Sequence, residues 1–311
     1  MDAVEYPVVE CPGVHAFISG PGDFRVGSGR AVPASRVFEP DVSPYCFDLA
    51  DRSLLCVSTS DLSGAPFFYQ AQRRNARSVI RVRLEALPEG PASPGLIFSI
   101  GRCGSTLVVK ALEAAGVRAV SEPDFFTQAA CERPGDGSLR SAIAGATRLL
   151  RYAAIKLRLE CNNAPLLIAS SFQAPRILFI LRDPVQWAAS LRRVSRNSLD
   201  LNWALAQLGR GLQALDDLSR SYPVRISYYE DFRTLAADRV AELLAWAGAP
   251  RGVGVDELRA LASRDAQEGT FVSRASLRDV PDDVAFRHAF EREWSRRRPR
   301  ELIDRLGLRF V

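Results

Sequence analysis

Residues 96 to 106, Leu-Ile-Phe-Ser-Ile-Gly-Arg-Cys-Gly-Ser-Thr, constrain the fold more than any other stretch of this chain. The short apolar run ending at Ile100 reads as a buried strand. It breaks at Gly101, and Ser105-Thr106 open the helical pattern Leu107-Val108-Val109-Lys110-Ala111-Leu112. Strand, tight loop and helix in that order bring loop N–H groups and the positive end of a helix to one point, which makes an anion cradle. Gly104 lets the backbone approach a ligand closely, and Arg102 adds a fixed positive charge. A phosphate-like ligand is expected. The loop is not the nucleotide-triphosphatase version, because no Lys precedes Ser105 to reach a β/γ-phosphate. A purely structural Gly turn stays open at this point.

After residue 90, strands and helices alternate, which argues for an α/β fold: a parallel sheet covered by helices on both faces. Strands are expected over 96–100, 117–120, 153–157, 176–181 and 224–228. Helices are expected over 105–115, 138–150, 184–195, 200–220, 235–247 and 284–296. Ligands of such sheets sit beyond the carboxyl ends of the strands, so the loops after Ile100, Val120, Lys156, Leu181 and Ser227 should carry the site. Residues 1–90 differ in texture. Pro and Gly clusters separate short apolar pieces, and Ser78-Val79-Ile80-Arg81-Val82-Arg83-Leu84 alternates as a strand does. They read as a β-rich N-terminal extension that ends at the linker 88–94, ahead of a domain over 91–311. The extension is either a structural cap or a substrate-shaping element, with Phe67, Phe68 and Tyr69 lining an acceptor pocket or simply packing.

The chain's 311 residues, 47% hydrophobic and 25% charged, are those of a globular protein with a substantial core. A net charge of +5 suits a small anionic ligand, and no aromatic-basic array points to nucleic acid. No signal peptide and no membrane span are expected, which suggests the cytoplasm. Six scattered cysteines read as free thiols, and with only His15 and His288 available a zinc site is not expected. Lys110 and Lys156 are the only lysines. A Lys kept in a chain that otherwise uses Arg marks a place where a compact point charge is wanted.

The second informative stretch is Arg176-Ile177-Leu178-Phe179-Ile180-Leu181-Arg182-Asp183-Pro184. It is again a buried strand, with Asp183 as a natural N-cap and Pro184 at the first helical position. Arg182 leaves the strand end and Ser190 follows two turns into the helix, so together they could fork around a second phosphate-like group.

The two stretches together resemble the sulfotransferase family that uses 3′-phosphoadenosine 5′-phosphosulfate (PAPS). Arg102-Cys103-Gly104-Ser105-Thr106 is similar to its phosphosulfate loop, with Gly101 and Cys103 standing where the family has Pro and Ser. Arg182 and Ser190 have the spacing of its 3′-phosphate site. Ile226-Ser227-Tyr228-Tyr229-Glu230-Asp231-Phe232 looks like its strand followed by Tyr-Glu-Asp. The resemblance spans roughly residues 95 to 250. It implies the P-loop-like sulfotransferase fold and PAPS as cofactor, with PAP (3′-phosphoadenosine 5′-phosphate) as product. By the resemblance, the amides of 103–106 with Arg102 and the Thr106 hydroxyl hold the 5′-phosphosulfate, and Arg182 and Ser190 hold the 3′-phosphate. Tyr229 packs on adenine or fills the core. The family's C-terminal cofactor loop falls on 270–278, where Ser273, Arg274 and Arg278 are candidates without a fixed register.

Sulfuryl transfer needs a base for the acceptor and positive charge on the bridging oxygen. Glu122, twenty residues after Arg102 and just past the second strand, fits the family's Glu-base branch. Its bland alternative is a solvent-exposed turn carboxylate. Asp124 is the fallback, or a cap for the next helix. Lys156, at a strand end 26 residues before Arg182, is the electrophilic partner by the same resemblance, with a surface Lys as the alternative; Lys110 reads as structural. The expected activity is sulfuryl transfer, with Glu122, Lys156 and Arg102 catalytic, to a hydroxyl or amine of a small-molecule acceptor. No metal, nucleic acid or membrane partner is expected, and a homodimer is left open. The alternatives are a nucleotide-dependent kinase and a catalytically silent nucleotide-binding protein.

Overall fold

The computed structural model describes residues 3–60, 62, 64–90, 93–132, 138–234, 236–270 and 272–310. Residues 91 and 92 of the linker, Leu235 at the start of one expected helix and Phe271 in the 270–278 segment lie outside them.

The described residues between Ala3 and Arg83 hold one antiparallel sheet. Its strands are β1 (Ala3–Glu10), β2 (Arg25–Val26), β3 (Arg30–Val32), β4 (Val42–Asp48), β5 (Ser53–Ser58) and β6 (Ser78–Arg83), with helix α1 (Phe68–Asn75) inserted before β6. The order is β2-β1-β6-β5-β4, and β3 pairs with β1. β5 is buried along its whole length, and Tyr45, Cys46, Leu55, Val57 and Val79 pack with Phe24 into a local core. The extension is β-rich, as its texture predicts, although α1 is a helix that its aromatic run Phe67-Phe68-Tyr69 conceals.

The second sheet has five strands: β7 (Gly95–Ser99), β8 (Ala119–Ser121), β9 (Ala154–Lys156), β10 (Arg176–Leu181) and β11 (Val224–Tyr228), in the order β11-β10-β7-β9-β8. The pairs β10–β11 and β8–β9 are parallel. In β7 and β10 the apolar runs Leu96-Ile97-Phe98 and Ile177 to Leu181 are fully buried, as strands covered on both faces must be. The expected helices appear as α2 (Ser105–Ala114), α4 (Ser138–Leu150), α6 (Pro184–Val194), α7 (Leu201–Ser221), α9 (Ala237–Ala247) and α11 (Val284–Arg297). The shorter α3 (Phe125–Glu132), α5 (Pro165–Ala169), α8 (Tyr229–Arg233), α10 (Val255–Ser263) and α12 (Arg300–Arg305) are additional. Asp183 caps α6 by accepting from Gln186 N at 2.7 Å, with Pro184 in the first turn.

Two compact units partition the chain: residues 1–96 with 118–175, and residues 97–117 with 176–311. Among the described residues no helix is long and apolar enough to cross a membrane, and none of the six cysteines is in a disulfide.

Candidate active site

In the unit formed by 97–117 and 176–311, the loop after β7 takes an unusual backbone path. Gly101, Arg102 and Gly104 all have positive φ, at 70°, 48° and 74°. For Arg102 this conformation costs on the order of 1 kcal/mol and persists only because the surroundings impose it. Trp187 of α6 donates its indole N–H to both the Ile100 and Gly101 carbonyls at 3.0 Å. Arg182 donates to the Arg102 carbonyl, also at 3.0 Å. Gly104 is required twice over: its φ is left-handed, and a Cβ there would sit 2.5 Å from a ring carbon of Tyr229.

The register of β10 and β11 explains how Arg182 and Tyr229 meet. Their last pair is Leu181 with Tyr228, so the next residue on each chain leaves the sheet beside the other. The Arg182 guanidinium lies over the Tyr229 ring at 4.5 Å. Glu230 secures the turn by accepting Asp183 N–H at 3.1 Å. Ser190, on α6, comes within 3.4 Å of Arg102 Nε. Arg102, Arg182, Ser190, Tyr229 and the start of α2 therefore form one group, and Ser105 and Thr106 of that helix end are buried.

This group is rich in positive charge and poor in negative charge. Burial, followed by the neighbouring Arg182 charge, pushes the Arg102 guanidinium pKa down to about 10, against the opposing pull of Asp265. Arg182 Nε is buried with no hydrogen-bond partner among the described residues. Two crowded guanidiniums, an orphaned donor and a helix N-terminus fit a phosphate- or sulfate-bearing group.

The C-terminal candidates are placed differently from one another. Ser273 is buried, its hydroxyl donating to Ser276 Oγ at 2.8 Å. Arg274 is exposed and its guanidinium is bound to the Ser263 and Ala262 carbonyls at 2.9 Å. Arg278 is exposed. The residue from this part of the chain that does reach Arg102 is Gln267, whose Oε1 accepts from Nη1 at 2.6 Å. Sequence reasoning missed it, because a lone Gln in a polar loop carries no pattern.

In the unit formed by 1–96 and 118–175, strands β8 and β9 end together at Ser121 and Lys156. Glu122 N–H donates to the Lys156 carbonyl at 2.7 Å, and Lys156 Nζ donates to Glu122 Oε1. Both side chains are buried, with Lys156 5% and Glu122 9% exposed, which removes the alternatives of an exposed turn carboxylate and of a surface Lys. Glu122 is also left-handed, with φ of 64°. Asp124, the fallback base, is fully buried and ion-paired with Arg158 at 2.8 Å. It also accepts Ser19 N–H at 2.6 Å, so its carboxylate anchors the 16–19 segment. Arg158 donates to the Phe17 carbonyl at 2.7 Å, and its guanidinium lies over the rings of Phe17 and Tyr69, each at 4.8 Å. Arg73 completes the network through Tyr45, the Ala16 carbonyl and Ser19. Lys110 pairs with Glu113 at 3.3 Å along its own helix.

No family model matches the chain, and no curated protein matches it. Among solved structures, it is similar to the sulfotransferase domain from the curacin biosynthetic pathway, at 12% identity over 71% of this chain and 100% of that one, with a TM-score of 0.41. It is also similar to retinol dehydratase in a complex with retinol and PAP, at 15% identity over 74% of this chain and 86% of that one, with a TM-score of 0.40. A second retinol dehydratase structure, with androsterone and inactive cofactor PAP, gives 12% identity over 86% and 96% of the two chains and a TM-score of 0.35.

Proposed function

We propose that this chain is a PAPS-dependent sulfotransferase acting on a hydroxyl or amine of a small-molecule acceptor. The observation that carries the reading is the pair of guanidiniums, Arg102 and Arg182, held against a helix N-terminus with no carboxylate hydrogen-bonded to either among the described residues. PAPS, when bound, supplies the activated sulfuryl group and leaves as PAP. Arg102, with the amides of 103–106 and the Thr106 hydroxyl, binds the 5′-phosphosulfate end. Arg182 and Ser190 bind the 3′-phosphate that separates this cofactor from ATP, and the Tyr229 ring offers a face for the base. Ser273, Arg274 and Arg278 are further cofactor contacts in this proposal.

Glu122 is the proposed base and takes the acceptor proton on a carboxylate oxygen. Lys156 holds that carboxylate in place by direct pairing, and its ammonium is the donor for the bridging oxygen as negative charge grows there. Calorimetry with PAP and ATP tests the cofactor: PAP binding with ATP weaker by tenfold or more is expected. Tight ATP binding with none for PAP would sink the proposal. Glu122→Ala should abolish sulfuryl transfer to a phenolic probe and spare PAP affinity; retained turnover would return Glu122 to a structural role.

A further inference from the structure

Gln267 sits where an anion would be expected to sit. Its side-chain oxygen, 2.6 Å from Arg102 Nη1, takes the shortest hydrogen bond that this guanidinium makes among the described residues. The position of Gln267 is set locally. Asp265 accepts its N–H at 3.0 Å and also accepts from Arg274 N, while Thr270 returns a hydroxyl to the Gln267 carbonyl at 2.7 Å. The loop after α10 is thus wound around one carboxylate, and it presents a neutral amide oxygen, not the carboxylate itself, to the cationic cradle.

We propose that Gln267 is a built-in placeholder: its Oε1 occupies the Arg102 donor that a phosphate-type oxygen takes on binding, so anion binding displaces Gln267 from the cradle. The chemistry of the residue favours this role. A carboxylate at 267 would neutralise Arg102 permanently and compete with the ligand by full charge. An aliphatic residue would leave a second buried donor unsatisfied beside Arg182 Nε, which is already orphaned. An amide satisfies the donor while holding it weakly enough to give way. The proposal rests on the anion-binding part of the functional reading and not on sulfuryl transfer.

Titration calorimetry of the full chain with PAP, and separately with inorganic pyrophosphate, tests it through binding alone. Gln267→Ala removes the competitor, so both probes should bind about tenfold more tightly, the low end of what a hydrogen bond to a charged group is worth. Gln267→Asn, too short to reach Arg102, should behave like Gln267→Ala. Gln267→Glu should weaken both probes by tenfold or more. Weaker or unchanged binding by Gln267→Ala and Gln267→Asn overturns the proposal, since Gln267 would then be a ligand contact or a bystander. If pyrophosphate shows the expected order and PAP does not bind, the placeholder stands and the PAPS reading falls. No binding of either probe by any of the four proteins overturns both.

Discussion

The buried pair of Glu122 and Lys156 can be tested through stability before any acceptor is known. Their side chains are 11% and 6% exposed and hydrogen-bonded to each other. Glu122→Ala removes the carboxylate and leaves an ammonium in a site that water scarcely reaches. Breaking a buried pair from one side typically costs about 3–5 kcal/mol, because the remaining charge is uncompensated. At about 2.1 cal/mol/K per residue, the unfolding entropy of the 311-residue chain is roughly 0.65 kcal/mol/K, which converts the loss into a fall in Tm of about 5–8 °C. Lys156→Met should lose a similar amount through the stranded carboxylate, and the double variant Glu122→Ala/Lys156→Met should recover much of it. Thermal melts followed by circular dichroism give all four values of the cycle. If Glu122→Ala melts within about 2 °C of the parent protein, or the double variant merely sums the single losses, the two groups are not a desolvated pair. The proposal that Lys156 holds Glu122 in place would then fail with them.

Gly104→Ala places a Cβ in the left-handed region and 2.5 Å from the Tyr229 ring, so the ring must move and disturb the Arg182 stack; PAP affinity should drop by about tenfold or more, with on the order of 1–3 kcal/mol of stability lost. Unchanged affinity in calorimetry would show that the loop and Tyr229 are not mechanically linked. Trp187→Phe deletes the N–H shared by the Ile100 and Gly101 carbonyls and should cost about 1–3 kcal/mol in urea denaturation. A loss below about 0.5 kcal/mol would mean that the loop does not depend on Trp187. The Arg36 hydrogen bond holds the Asp41 carboxyl below its usual value of 3.8, with burial opposing and Ser58 assisting. A depressed carboxyl pKa contributes stability that is present above the unfolded value and lost as pH falls through the folded one. Arg36→Ala should therefore flatten the fall in urea midpoint between about pH 4 and pH 2, and an unchanged slope would remove Asp41 from the acid response.

What was legible in the sequence is what neighbouring residues encode. Strands β7 and β10 are buried on both faces and so spell continuous apolar runs. Asp183-Pro184 is a cap written in adjacent residues, and the loop at 101–104 announces its bends with two glycines. The tertiary partners were not legible. The hydrogen bond of Asp124 to Ser19 spans 105 positions, and that of Arg73 to Ser19 spans 54. No period or spacing connects them. Helix α8 was hidden because Tyr229-Glu230-Asp231 directly prolongs an apolar strand, and α1 because its aromatic residues favour strands in isolation. Gln267 was invisible for a different reason: a hydrogen bond from an amide to a distant Arg needs no local signature. Glu122 and Lys156 were each singled out, but for roles taken one at a time. That they hold each other follows only from the parallel register of β8 and β9.

Register is the device common to both groups. In each unit a parallel pair ends in step, Leu181 with Tyr228 and Ser121 with Lys156. The residue that leaves such an end has lost its ladder partner and is free to turn. Arg182 and Tyr229 stack there, and Glu122 bends back onto Lys156 through a left-handed backbone. The strained φ of Glu122, like that of Arg102, belongs to a residue that turns out of a strand end carrying a charge. A turn held by nothing else would relax, since the strain costs on the order of 1 kcal/mol. Here it is held by the Lys156 carbonyl in one case and by Trp187 and Arg182 in the other. A one-residue slip of either pair would send the charged side chain to the opposite face of the sheet. Charge position at these strand ends is therefore a property of the sheet before it is a property of the motif, which is why the same Arg-Asp-Pro or Ser-Glu-Pro elsewhere in a chain would carry no site.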